Sequence, residues 1–495
     1  MTEVGSQNDT NNSLRKKTAG TLKWNTVDRI SSQVLYAVSG IVLANMVSQE
    51  DFGLVGALLV FQSFAIIFAD SGLGAALLQN KTTTDKDYST VFWFNLIVSV
   101  AIYWILWFCA PLIADIFQGD KRLIPLSKVM FITFVLNALA IVQTNRLMRE
   151  MNVKMVAVSN IVGQIAGGGL GIGLALAGYG AWALVWQSVT LAAVRTGVLW
   201  ATGHWLPLPY MTVESFRKTW RIGLSVFSSS MLNTLFLKVY SFVIGAFYSL
   251  RQLGVYTQAD KWSKMGSASL SQIFTSSFVP LLAKVQTSPE DFRRYVEKIN
   301  RFVAFLVFPF MGGLAIIGEP LFHTLFGDKW DSAIPLFQIL CVRGIGVVYV
   351  SLFGNYLLSL GYGKKLFLIE IIKDLCIVVA ILSTVWFGSI ELLVWGQFWA
   401  TLLTLGIVGY MTLRTIGYNI GRIFVDLSVF AMSALLMCVA CWLIGKIPLA
   451  PVLRLLSEIA TGSLFYIVLM KLGRAPELPE AWNYLFGKFK KIQSV

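Results

Sequence analysis

The residues of this chain that could do chemistry are charges placed inside long apolar stretches. Basic residues sit there at Arg29, Lys128, Lys238, Lys261, Lys264, Arg343 and Lys373, and acidic ones at Asp28, Asp70, Asp260, Glu370, Asp374, Asp426 and Glu458. A charge inside a membrane-spanning helix costs roughly 2.5–3.5 kcal/mol on insertion scales, so it normally faces a cavity or a partner. Asp260 and Lys264 are four apart and Glu370 and Lys373 three apart, so each pair can meet on one helix face. For these, structural pairing is the preferred reading. Lys128 and Lys261 are placed to snorkel toward an interface. Asp426 and Glu458 lie near the ends of their stretches, where water is expected to reach them. Lys238, in LNTLFLKVYSFVIGAF, and Arg343 have no acidic residue within ten positions. These two are the strongest candidates for facing a cavity, where Lys or Arg replaces the water lost by an anion through charge-assisted hydrogen bonds.

Other chemistry finds little support. Asp70 ends an apolar run as FADSGLGAALL. It could bind a coupling proton or cation, or it could cap a helix break that Ser71, Gly72 and Gly74 permit; the structural reading is preferred. The histidines, His204 and His323, are far apart in sequence. Cys438 and Cys441 form a CxxC inside an apolar helix with no second pair, and Cys109, Cys341 and Cys376 also lie in apolar runs. No catalytic residue and no metal site is expected. GGGLGIG, at 167–173, lacks a following GK[ST] and reads as helix packing rather than a nucleotide loop.

The elements that must position these charges are membrane helices. The 495 residues are 56% hydrophobic and only 13% charged, against about 25% charged in a soluble domain, and the mean hydropathy is +0.68. The net charge of +14 fits basic cytoplasmic loops better than nucleic-acid binding, since no glycine–aromatic RNA-binding pattern or long basic arm is present. A span needs about 20 apolar residues. That rule yields about fourteen, near 22–46, 52–78, 88–113, 122–146, 155–177, 179–201, 220–247, 252–283, 295–318, 332–358, 365–387, 390–415, 423–444 and 450–471. The first run is longer than a signal-peptide core and reads as an uncleaved span. With the N-terminus in the cytoplasm, roughly 27 basic residues fall inside and roughly 6 outside, which places both termini in the cytoplasm. TSPEDFRRYVEKINRF, with Ser288 as cap, and PEAWNYLFGKFKKIQ are expected to be helices on the membrane surface; the second is read as an anchor on an anionic leaflet.

A repeat links the halves. VLANMVSQEDFGLVGA at 42–57 is echoed by VIGAFYSLRQLGVYTQ at 243–258, and more weakly ALVWQ at 183–187 by LVWGQ at 393–397. The fold class expected is therefore all-α and polytopic, two pseudo-symmetric six-helix lobes plus two C-terminal helices. The parts are a cytoplasmic tail over 1–21, an N-lobe over 22–201, a linker over 202–219, a C-lobe over 220–416, two further spans over 417–471 and a basic amphipathic tail over 472–495.

The phrases SQEDFGLVGALLVFQSFAIIFADSGLGAALLQ, LGVYTQADKW, FVPLLAKVQ and LFGDKWDSAIPLFQIL resemble the polysaccharide-transport branch of the multidrug/oligosaccharidyl-lipid/polysaccharide exporter superfamily, whose members are Wzx-type flippases. The resemblance covers nearly the whole chain. At the end of the seventh span, where relatives often carry Asn and Asp, this chain has Lys238 and Tyr240. The resemblance implies V-shaped lobes around a cavity, alternating access, no bound cofactor, and an undecaprenyl-pyrophosphate-linked oligosaccharide moved outward across the bacterial inner membrane for surface polysaccharide synthesis. Arg29, Lys238, Lys264 and Arg343 are then candidates for the pyrophosphate, Asp70 and Asp260 for ion coupling, and Tyr240, Tyr256 and Trp262 for stacking on sugars. Membrane lipids surround the chain, a polysaccharide polymerase is a candidate partner, and no nucleic acid is involved. Two rivals are a multidrug/cation antiporter of the same fold, which predicts a cavity dominated by carboxylates, and a polytopic polymerase, which the short outer loops disfavour.

Overall fold

In the computed structural model, which describes residues 2–80, 82–203 and 205–479, every regular element is a helix. The first is α1 (Thr2–Met46), followed by α2 (Gln49–Asp70), α3 (Leu73–Gln79), α4 (Asp85–Phe108), α5 (Ala110–Ile116), α6 (Leu123–Met130), α7 (Ile132–Arg149), α8 (Val153–Leu176) and α9 (Ala181–Gly203). Then come α10 (Val213–Phe247), α11 (Leu250–Lys284), α12 (Pro289–Ile316), α13 (Gly318–Leu325), α14 (Ile334–Ser359), α15 (Gly363–Thr384), α16 (Ile390–Ile416), α17 (Ile420–Gly445) and α18 (Pro451–Leu472). Each stretch expected to span is mostly helical, some as two consecutive helices, and among the described residues ten helical segments are long and apolar enough to cross a membrane by themselves. This is a multi-pass membrane protein. His204 and, from position 480, the basic amphipathic tail expected over 472–495 lie outside the described residues.

Local sequence explains the ends and breaks. Ser48 caps α2, accepting from the Asp51 amide at 3.1 Å, and Thr84 and Asp87 form a capping box on α4; such caps contribute about 1 kcal/mol each. Ser288 caps α12, accepting from the Asp291 amide at 3.3 Å. The surface helix expected at Ser288 is instead the first part of α12, because its apolar face continues in phase into the span. Between α2 and α3 the backbone turns left-handed at Ser71 (φ 50°) and Gly72 (φ 66°). A Cβ on Gly72 would run into the Gly223 carbonyl oxygen and lie 2.8 Å from the Phe227 nitrogen, so α10 packs backbone-on-backbone against the break.

The chain divides into two compact units, Met1–Gly254 and Val255–Val495. That division follows packing rather than the repeat, because α10, the first helix of the second repeat, packs against α2 and α3. Inside the first unit α8 lies along α9 through the glycine-rich face expected to pack helices, with Gly163, Gly167 and Gly171 against the α9 backbone or Gln187. Inside the second, α17 and α18 bury Phe430, Met437, Cys441 and Tyr466 against Ala304 and Phe305 of α12. The duplication extends to side-chain contacts. Phe61 packs edge-on against Phe117 at 6.0 Å in the first unit, and Trp262 packs against Phe326 at 5.1 Å in the second, the repeat-equivalent elements in each case.

Candidate functional site

The second unit gathers several of the expected site residues along α11, α14 and α16. Asp260 and Lys264 pair at 2.7 Å, one helical turn apart, as their spacing predicts. The other Asp260 oxygen is buried with no hydrogen-bond partner. One turn earlier Tyr256 is buried, and its hydroxyl accepts from the Gln397 side-chain amide at 3.2 Å. The Gln397 side-chain carbonyl oxygen is itself without a hydrogen-bond partner. Trp262 is half-buried against Phe326, with the Lys261 ammonium 5.1 Å from its ring centroid.

Arg343 occupies a different setting. It lines a cavity of about 670 Å³ between α12, α14, α16 and α17, walled by Phe308, Tyr349, Phe353, Phe398 and aliphatic side chains. Its Nε donates to the Thr401 hydroxyl at 2.9 Å, and it makes no ion pair among the described residues. No lining residue is a carboxylate. A guanidinium on such a wall keeps donors available for an anion, because one neutral hydroxyl uses only one of its five.

The first unit holds the remaining candidates. Arg29 is exposed on α1, Lys238 is half-buried on α10, and Tyr240 is buried two residues on. Asp70 sits at the α2–α3 break, where a Cβ on Gly74 would meet its carboxylate and the Asn145 amide nitrogen at 2.5 Å. That close approach suits a cap on the break. Lys264, Asp260, Tyr256 and Trp262 are therefore neighbours on α11, whereas Arg29, Asp70 and Lys238 lie on separate helices.

Several charges sit differently from expectation. Asp426 and Glu458 are not left to water. Arg301 reaches Asp426 at 3.2 Å and Glu477 at 2.6 Å, and Arg454 reaches Glu458 and Glu319, each at 2.9 Å. Burial of both carboxylates makes pairing cheaper than hydration. Arg195 lies two turns inside α9, and its buried Nε has no hydrogen-bond partner. Asp28 accepts from Asn160 of α8 at 3.0 Å. Lys128 stacks over Trp107 at 4.5 Å. His323 of α13 lies 2.9 Å from Asp331 in the short helical turn before α14, and with Asp328 their ligand atoms fall within 4.8 Å of one another. Those three could hold a metal; the two aspartates are exposed. Sequence reasoning compared only the two histidines and missed this group.

The chain is similar to known proteins over most of its length. It is 24% identical over 464 residues to the succinoglycan biosynthesis transport protein ExoT of Rhizobium meliloti, covering 91% of this chain and 92% of that one. It is 25% identical over 341 residues to the lipopolysaccharide biosynthesis protein WzxC of Escherichia coli, covering 67% and 68%. Among solved structures it shares the fold of the Lipid II flippase MurJ in an inward closed conformation, with a TM-score of 0.74 and 13% identity over 90% of this chain and 98% of that one. Residues 42–335 match the family described as polysaccharide biosynthesis protein, and the chain belongs to that family.

Proposed function

We propose that this protein is a flippase that carries an undecaprenyl-pyrophosphate-linked oligosaccharide from the inner to the outer leaflet of the bacterial inner membrane by alternating access, serving O-antigen, capsule or exopolysaccharide synthesis. The observation that carries the reading is membership of a polysaccharide biosynthesis family by a chain whose relatives include a transport protein matched nearly end to end. The site chemistry supports it over a cation antiporter. The cavity in the second unit is lined by Arg343 and no carboxylate, which favours an anionic headgroup. Arg29, Lys238 and Lys264 are the further cations proposed to meet the pyrophosphate, with Asp70 and Asp260 as ion-coupling candidates. Of the aromatic candidates, Tyr240 and Tyr256 are buried in helix packing, and Trp262, half-buried, is the one we propose to stack on a sugar.

Deleting the gene in its host tests the reading. Completed lipid-linked repeat units should accumulate in the inner leaflet, while early glycosylation steps proceed. Normal surface polysaccharide in a strain with no second exporter would overturn it. Purified protein is expected neither to cleave nor to polymerise a lipid-linked glycan.

A further inference from the structure

Pro309 sits inside α12, in a segment apolar enough to cross a membrane, and the helix runs on through it. Proline has no N–H, so the Phe305 carbonyl four residues back loses its helical donor. In a hydrocarbon setting no water replaces that donor, and a neighbouring helix must. The Tyr466 hydroxyl of α18 does so, donating to the Phe305 carbonyl oxygen at 3.0 Å. Tyr466 is buried, and its ring lies 5.8 Å from that of Phe305. One hydroxyl stands in for the rung that the proline deletes.

The same stretch of α12 is held on both sides of the proline. Before it, Tyr349 and Tyr356 of α14 donate to the Asn300 backbone carbonyl at 3.2 Å and to its side-chain carbonyl at 2.8 Å. Beyond it, Gly312 admits α17, since a Cβ there would lie 3.3 Å from the Cys438 Sγ. Phe308, between these contacts, lines the Arg343 cavity, its ring 6.2 Å from that of Tyr349. The pair α17 and α18 is itself pinned at both ends, by Arg301 to Asp426 and Glu477 and by Arg454 to Glu319. The arrangement is confined to the second half. α4, which follows α2 as α12 follows α11, carries no proline, and by sequence α17 and α18 lie outside the repeat.

We propose that Tyr466 is a positioning residue for transport: by completing the rung broken at Pro309, it lets α18 set the course of α12 and so the place of Phe308 on the cavity wall. The inference rests on the transport role proposed above for the Arg343 cavity. A helix with a missing rung bends there at little cost, so whatever supplies the rung decides its course. Tyr466 does not line the cavity itself, and it acts through α12.

Pro309→Ala, Tyr466→Phe and the double variant test this in the full-length protein, reconstituted in vesicles with undecaprenyl-pyrophosphate-linked oligosaccharide extracted from the deletion strain. Tyr466→Phe strands a buried carbonyl and should lower the melting temperature. Pro309→Ala returns an N–H to Phe305, so the same tyrosine change on that background should leave the melting temperature unmoved. Transport should follow a different pattern. All three variants should raise the half-saturating substrate concentration about tenfold with little change in maximal rate, because a displaced cavity wall weakens binding. A hydroxyl that served stability alone would leave Pro309→Ala and the double variant at the parental concentration, and that result overturns the proposal. So does a Tyr466→Phe protein that melts and transports like its parent. Pro309→Ala carries the test where Tyr466→Phe is not produced. If the parent moves no lipid-linked oligosaccharide, the transporter reading fails. Pro309→Ala should still change the rate at which a thiol reagent reaches Phe308→Cys, in a chain whose native cysteines are replaced, and an unchanged rate overturns the positioning role.

Discussion

Arg343 and Arg301 show two ways of keeping a guanidinium in a helix bundle, and they call for opposite outcomes on removal. Arg343 has a hydroxyl partner and an apolar cavity around it. Arg343→Ala is expected to leave abundance and melting temperature unchanged or higher, since an isolated charge in an apolar wall costs stability. Transport should be lost, and Arg343→Lys should restore part of it; full transport by the alanine variant would remove Arg343 from the site. Arg301 neutralises Asp426 and Glu477, whose carboxylates are 11% and 8% exposed. Arg301→Ala should cost about 2–4 kcal/mol by stranding them, and Glu477→Gln on that background should recover part of the loss in a thermal-denaturation assay. Sequence separated these cases poorly. Spacing reveals partners three or four apart, such as Asp260 and Lys264, but Arg301 and Glu477 are 176 positions apart, and only tertiary packing brings them together.

The segment 117–122, where Arg122 pairs with Asp120 and with Glu50 of α2, also has a defined pH response. The Arg122 guanidinium holds the Asp120 carboxyl below the usual carboxylate range. A depressed pKa contributes stability that is present above the unfolded value, about 3.9, and lost as pH falls through the folded value. Hydrogen-exchange protection of 117–122, corrected for intrinsic rates, should therefore be flat from about pH 8 to about pH 5 and fall only in stronger acid. A loss of protection near neutrality would show that some other group holds this segment.

At the scale of elements, the apolar runs announced themselves because each is long and carries few charges, and most helices end near the expected boundaries, although α1 begins at Thr2 rather than near 22 and the runs at 52–78, 88–113 and 122–146 are each two helices. Breaks were legible only where glycine marked them. Ser71–Gly72 was anticipated, but the interruptions at Cys109 and Phe131 were not, since neither carries a positive φ or a glycine and each is a small change of phase between two helices. The glycine-marked break makes a firm prediction. Gly72→Ala forces an L side chain into the left-handed region, at about 1–2 kcal/mol, and drives a methyl against the Gly223 carbonyl of α10. Abundance should drop and α10 should become easier to cleave by protease, whereas Gly20→Ala, with open space around it, should do neither.

For the whole molecule, duplication is written more deeply than the two turns suggested. FQGDKRLIPL at 117–126 echoes FGDKWDSAIPL at 326–336, a match hidden by a one-residue shift of the GDK phrase. Phe117 and Phe326, which open the two phrases, each pack against the repeat-equivalent aromatic, Phe61 or Trp262. If duplication built both halves from the same six-span unit, an even number of crossings separates the echoes, and both phrases must face the same side of the membrane. The gathering of basic residues between the other ends of the helices predicts that this side is the outer one. Single cysteines at Lys121 and Gly327 should then both react with a membrane-impermeant maleimide added to intact cells, and reporter tags at residues 1 and 495 should both sit in the cytoplasm. Labelling of one phrase from outside and the other only after permeabilisation would mean that an odd number of spans lies between them. The shared GDK phrase would then not mark a duplicated half.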